Sequence, residues 1–197
     1  GVGHLIIADD DLVELTNLQR QVAYSQSMIG EPKVVASQQT LLGLNPDLKI
    51  TALQKRLEGS ELSEVVGQAD LIVDACDNFT TRFAINSACI EHGKPLVSGA
   101  AIRMEGQVTV FDSRNPTSPC YQCLYSQGDD EDASCSENGV MAPLVGIIGA
   151  VQAMEAIKLL TGIGESLTGR LLLLDASTLQ WREMRLPRDS SCGACGV

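Results

Sequence analysis

Leu5-Ile6-Ile7-Ala8-Asp9-Asp10-Asp11 is the stretch on which the fold turns. A short apolar run that stops abruptly at acids reads as a buried parallel strand delivering carboxylates to the edge of a sheet. Leu71-Ile72-Val73-Asp74-Ala75-Cys76-Asp77-Asn78 repeats the pattern. Working outward, Lys33 to Leu42 has the spacing of a helix and stops at Gly43, Asn45-Pro46 forces a turn, and Lys49 to Leu53 reads as a strand. Ser60 to Val66 reads as a short helix capped by Ser60, and Thr80 to Glu91 as another. Pro95 to Ser98 and Gln107 to Phe111 read as extended, the latter with polar and apolar residues alternating. Alternating strands and helices require crossover connections, so the expected fold is α/β: a Rossmann-like, mainly parallel sheet with flanking helices. Val145 to Leu160 is the most apolar helix, ended by Gly162, and Leu171 to Leu174 with Leu179 to Leu186 predicts a C-terminal β-hairpin.

Composition narrows the function. The chain has 197 residues, 44% hydrophobic and 20% charged, which suits a single domain over 1–197. Its net charge of −11 argues against nucleic acid or an anionic membrane as partner, while leaving room for one phosphorylated ligand held by local cations and a metal ion. The longest uncharged stretch, Asn138 to Met154, has 17 residues interrupted by three glycines, Pro143 and Gln152, so no membrane span is expected. With no secretory signature the cytoplasm is the expected compartment. Gly1-Val2-Gly3 runs straight into a strand and cannot be the phosphate loop of a nucleotide fold, so a fragment lacking its upstream strand, glycine loop and helix is expected.

Four of the seven cysteines form Cys120-x-x-Cys123 and Cys192-x-x-Cys195, with 68 residues between the pairs. Two such pairs supply the four soft ligands of a structural zinc site, with a pair of redox dithiols as the alternative. Asp9, at a strand terminus, is placed to accept from ribose hydroxyls or simply to be solvated. Asn17, Arg20 and Lys33 offer an amide and two cations to phosphates, unless they merely face solvent. Asp77 could hold Mg²⁺ or cap the helix that begins near Thr80. Cys135 is a thiol in the acidic, polar stretch 129–137, expected to be a surface loop, and has no evident base. Cys76 and Cys89 read as small core residues, and His4 and His92, apart in sequence, do not suggest a catalytic triad.

Taken together, Ala8-Asp9-Asp10-Asp11, Thr16-Asn17-Leu18-Gln19-Arg20-Gln21, Pro32-Lys33, Asp74-Ala75-Cys76-Asp77-Asn78, both cysteine pairs and Gly139-Val140-Met141-Ala142-Pro143 resemble the adenylating enzymes that activate ubiquitin-like proteins. The resemblance covers essentially the whole chain. It implies ATP-dependent adenylylation of the C-terminal Gly-Gly carboxylate of a small sulfur-carrier protein. Asp9 would then bind ribose, Asn17, Arg20 and Lys33 the phosphates, Asp77 with Asn78 the Mg²⁺-nucleotide, and the paired cysteines Zn²⁺. Arg20, Lys33 and Asp77 would carry the catalysis, and Cys135 would be an auxiliary residue able to bond covalently to the carrier. Within the family, Ser98 to Gln107 and Gln152 to Lys158 look most like the branch acting on the small subunit of molybdopterin synthase, in molybdenum cofactor biosynthesis. The thiamine-pathway carrier is the second choice, and a non-catalytic zinc-stabilised interaction module the alternative. The family and the long apolar helix together imply a homodimer, and the missing glycine loop implies weak ATP binding by these 197 residues alone.

Overall fold

The computed structural model describes residues 2–125 and 139–196. They fall into two compact units, divided between Leu57 and Glu58.

The first unit is built on β1 (His4–Ala8) and β2 (Lys49–Leu53), which pair in parallel from His4 opposite Lys49 to Ala8 opposite Leu53. The crossover between them carries α1 (Lys33–Leu44). Gly43 does not stop this helix; it runs one residue further, to Leu44. Between β1 and α1 the chain passes through two 3-10 turns, Leu15–Asn17 and Gln26–Met28. It then folds back on itself: Val13 N–H donates to the Glu31 carbonyl at 2.8 Å, and Lys33 N–H to the Asp11 carbonyl at 2.9 Å. Val13, Val34 and Ala36 are buried, so the return of this loop is fixed by apolar packing as well as by main-chain bonds.

The second unit contains a five-stranded sheet in the order β3 (Ile72–Asp74), β4 (Leu96–Ile102), β5 (Glu105–Phe111), β6 (Arg170–Asp175), β7 (Gln180–Arg185). The expected α/β fold with flanking helices and a C-terminal hairpin is present. Parallel pairing joins β1 to β2 and β3 to β4; from β4 onward the sheet continues antiparallel, ending in the β6–β7 hairpin. The change of direction occurs at Arg103–Met104, a two-residue turn with Arg103 at φ +52°. Helices α2 (Gly59–Gln68) and α3 (Phe79–Glu91) lie side by side, and the short α4 (Tyr121–Leu124) sits against α3. Ser60 is not the cap of α2: Glu58 occupies that position, and Ser60 lies inside the first turn.

The last helix, α5 (Ala142–Thr161), packs over β4 and β5. Val97, Val108, Val110, Leu144, Ile148, Ala156, Leu167 and Leu174 make the core between helix and sheet. Two glycines allow the close approach: a Cβ on Gly99 would run into the Gln152 amide, and one on Gly106 would lie 2.6 Å from Ile148 Cδ1. Gly162, at φ +70°, ends the helix in the left-handed conformation, as expected. Among the described residues α5 is the one helix whose length and composition would suffice to cross a membrane. It is nevertheless built into the sheet by buried polar bonds, with Gln152 Nε2 donating to the Asp74 carbonyl at 2.7 Å and Glu155 Oε2 accepting from Leu167 N–H at 2.8 Å.

Candidate active site and metal centre

The loop leaving β1 carries most of the expected nucleotide-binding residues. Asp9 closes a small turn, its Oδ1 accepting from Asp11 N–H at 2.8 Å. Asp11 is not a bystander acid: its Oδ2 lies 2.6 Å from Lys33 Nζ, across 22 residues of sequence. Burial of Lys33 works against its charge, but the hydrogen bond to Asp11 and the charges of Asp9 and Asp11 outweigh it and raise the ammonium above the ordinary lysine range. Asp10 faces Arg56 at 3.7 Å, with both side chains about half exposed. Asn17 is buried and accepts from Glu14 N–H at 3.1 Å, which makes it the keystone of the first 3-10 turn. Arg20, one turn on, donates from Nη1 to the Thr16 carbonyl at 3.2 Å. Asp9 and Lys33 are thus gathered around Asp11, and Asn17 and Arg20 share the adjacent turn.

At the end of β3 the rival roles of Asp77 separate. Asn78, not Asp77, caps α3: its Oδ1 accepts from Thr81 N–H at 2.9 Å. Asn78 Nδ2 lies 3.4 Å from Asp77 Oδ1, and Asp77 is exposed. Its carboxylate is therefore available to a cation, while the Asn78 oxygen is already used by the helix. Sequence reading misses two charged residues here, Asp74 and Arg82. Asp74 reads as part of an apolar strand, and Arg82 carries no motif of its own beyond its place one turn inside a capped helix.

The four paired cysteines converge. The Sγ atoms of Cys120 and Cys123 are 3.9 Å apart, Cys120 and Cys192 3.7 Å, and Cys123 and Cys195 3.5 Å. Zn–S bonds of about 2.3 Å in a tetrahedron require S···S edges of about 3.8 Å, whereas a disulfide requires about 2.05 Å. The donor set fits zinc and does not fit two disulfides. Burial opposes ionisation of Cys192, but the N–H groups of Cys195 and Ala194 and the neighbouring thiols outweigh it and bring that thiol down to about 7. Arg188 joins the two halves of this centre, donating to the Pro116 carbonyl at 2.6 Å and to the Cys195 carbonyl.

Of the remaining candidates, Cys135 lies outside the described residues. Burial pushes both Cys76 and Cys89 up to about 12, with the Asp74 charge adding to the effect; Cys89 is a small core residue as expected, whereas Cys76 is half-buried, in the turn after β3. The histidines do have partners: His4 Nε2 is 2.9 Å from Thr51 Oγ1, and His92 Nε2 is 2.6 Å from Ser63 Oγ, contacts that separations of 47 and 29 residues hide in the sequence.

The fold and the four-thiol cluster define a Rossmann-like α/β protein with a four-cysteine site able to hold a metal ion. The chain belongs to the ThiF family, whose model matches residues 1–194. It is 45% identical over 196 residues to the molybdopterin-synthase adenylyltransferase of Escherichia coli K12, covering 100% of this chain and 78% of that protein. To the sulfur carrier protein ThiS adenylyltransferase of the same organism it is 44% identical over 200 residues, covering 100% and 77%. Among solved structures, Microcin C7 biosynthetic enzyme MccB in complex with N-formylated MccA superposes with a TM-score of 0.87 at 21% identity, covering 100% of this chain and 61% of that one. E. coli MccB with ATP gives 0.84 at 22%, covering 100% and 60%. The chain thus spans about 60% of the length of those MccB chains, and at this identity the likeness bears on the fold.

Proposed function

We propose that the chain is the ATP-dependent adenylyltransferase of a small ubiquitin-like sulfur-carrier protein. The carrier's C-terminal carboxylate attacks the α-phosphorus of ATP, a P–O bond forms to the carboxylate oxygen, and pyrophosphate leaves with the electrons of the broken P–O bond. The product is an acyl adenylate, whose AMP is a far better leaving group than the original oxide. A carboxylate needs no base to attack, so the protein's work is alignment and charge neutralisation. The observation that carries this reading is the match of the whole of this chain to 78% and 77% of two adenylyltransferases, with Asp9 and Asp77 following the carboxyl ends of β1 and β3.

In this reading Asp9 holds the ribose, Asn17 orders the turn that presents Arg20, and Arg20 and Lys33 take the phosphates. Asp77 holds Mg²⁺, which when bound shields the negative oxygens of the triphosphate. Asn78 serves the site mainly by fixing the start of α3. Cys120, Cys123, Cys192 and Cys195 would hold Zn²⁺ with all four protein ligands, and the metal would then supply cross-linking and no chemistry. The small subunit of molybdopterin synthase is the proposed carrier, the ATP-supplying cytoplasm the proposed compartment, and a homodimer the proposed assembly. Pyrophosphate exchange into ATP by the full-length protein, with molybdopterin-pathway and thiamine-pathway carriers offered separately, tests the proposal. Exchange with the first alone is expected; exchange with the second alone moves the pathway, and none with either overturns the reaction.

A further inference from the structure

Asp74 and Arg82 hold the chain on either side of Cys76. Asp74 is 1% exposed. Its Oδ1 accepts from Cys76 N–H at 2.9 Å, and its Oδ2 accepts from Ser98 Oγ at 3.1 Å and faces Arg82 Nε at 3.5 Å. Arg82 in turn donates from Nε to the Cys76 carbonyl at 3.1 Å, from Nη2 to the same oxygen, and from Nη2 to the Gly99 carbonyl at 3.4 Å. The backbone of Asp74 is itself held by Gln152 from α5. Both polar groups of the Cys76 main chain are therefore fixed by charged side chains, and the next residue is Asp77.

Such an arrangement is poorly explained by stability. A buried ion pair roughly cancels its own desolvation cost, and apolar residues of the same volume would serve the core as well. What the pair does supply is geometry. The planar guanidinium fork reaches two carbonyls, on β4 and on the turn after β3, which a lysine ammonium could not reproduce. Asp77, in contrast, is exposed, and its one side-chain hydrogen bond among those described is the long one from Asn78. Its orientation comes from its backbone.

We propose that Asp74 and Arg82 are positioning residues that hold the Cys76–Asp77 turn so that the Asp77 carboxylate meets Mg²⁺ in one orientation, and so set the enzyme's Mg²⁺ requirement without touching the metal. This rests on the reading of Asp77 given above. Groups standing behind a metal ligand typically change metal affinity by about 10- to 100-fold when removed. The test is pyrophosphate exchange by the full-length protein and its carrier, titrated with Mg²⁺ at saturating ATP. Arg82→Lys is expected to raise the Mg²⁺ concentration for half-maximal exchange by about 10-fold or more, with most of the loss recovered at saturating Mg²⁺. Asp74→Asn is expected to shift it in the same direction, and Ser98→Ala, which removes one hydrogen bond to Asp74 and leaves the ion pair intact, shifts it less and carries the test should the other two not fold. Asp77→Asn separates the two ideas. If it leaves the Mg²⁺ dependence unchanged, the role of Asp77 is wrong. If it shifts the dependence while the folded Arg82 and Asp74 variants do not, the positioning role is wrong. Equal loss of kcat at every Mg²⁺ concentration, with a lowered melting temperature, also overturns it in favour of a purely structural pair.

Discussion

Lys33 has a relative exposure of 8%, yet it keeps its charge because Asp11 sits 2.6 Å from its ammonium. In the phosphate-binding role proposed for Lys33, the ammonium has to be aimed without being consumed, and Asp11, whose side chain is 61% exposed, can give way to a more strongly charged ligand. Lys33→Ala is expected to lower kcat for pyrophosphate exchange by about 100-fold, the usual cost of losing one charge-stabilising group. The pH dependence follows from the direction of the shift. A lysine whose folded pKa is raised contributes stability that is complete below its unfolded pKa and disappears as pH climbs through the higher folded one. The difference in melting temperature between the wild type and Asp11→Asn is therefore expected to be constant from about pH 6 to 9 and to close only in strong alkali. Cys76 and Cys89 give a second residue-scale test. With burial holding both near 12, about one thiol in ten thousand is ionised at about pH 8, and the thiolate is the reactive form. Iodoacetamide at that pH, read by peptide mass spectrometry, should leave Cys89 unmodified in the native protein, label the half-buried Cys76 slowly, and label both after unfolding; rapid labelling of Cys89 in the native state would contradict its burial.

The sheet and α5 depend on what is absent from two positions. Gly99 on β4 and Gly106 on β5 leave the space into which Gln152 and Ile148 descend. Gly106→Ala would force Ile148 off its rotamer or lift the helix, a cost of about 1–3 kcal/mol for overpacking. Adding Ile148→Ala to it makes room again, so the double variant should lose less than the sum of the singles, and urea denaturation would reveal a simple sum if the two sites were independent. Much of this level is legible in the sequence. Local signals suffice for β1 and α3 because a short apolar run stopped by acids marks the strand, half-buried though it is, and because Asn78 caps the start of α3. Of the antiparallel pairings in the second unit's sheet, the β6–β7 hairpin is legible and those of β5 with β4 and β6 are not, since alternation in β5 and an apolar run in β6 say that strands exist but not which way they run. The caps differ by one or two residues for a related reason: Ser60 and Asp77 are good cap types, yet backbone geometry chooses Glu58 and Asn78. Asp11–Lys33 and Asp74–Arg82 are invisible in the sequence because a pair 22 residues apart, or one joining a strand to a helix, leaves no local pattern.

At the scale of the molecule, the cysteine pairs are readable because metal-ligand spacing survives without any knowledge of the fold, and the structure brings all four sulfurs to tetrahedral edges. Cross-linking residues 72 apart removes about 4 kcal/mol of chain entropy from the unfolded state. Stripping zinc with a strong chelator should accordingly lower the melting temperature well beyond the effect of any single cysteine-to-serine change at Cys76 or Cys89, and readdition should restore it.

The outer side of α5 argues for a second copy of the chain. Ile147 at 38% exposure, Met154 at 57%, Ile157 at 49% and Leu160 at 44% recur at helical spacing, with Gly146 and Ala150 between them, while the opposite side of the same helix is locked into the sheet through Gln152 and Glu155. An apolar stripe of this length, on a helix whose Gln152 and Glu155 are turned into the fold, is costly in water, and a self-complementary contact removes it on both copies at once. Ile157→Glu places a charge in the middle of that stripe without touching the core. If the protein dimerises through this stripe as proposed, the variant is expected to sediment as a monomer while keeping the wild-type metal content. A wild-type protein that sediments as a monomer at micromolar concentration would remove the homodimer from the proposal while leaving the adenylylation chemistry intact.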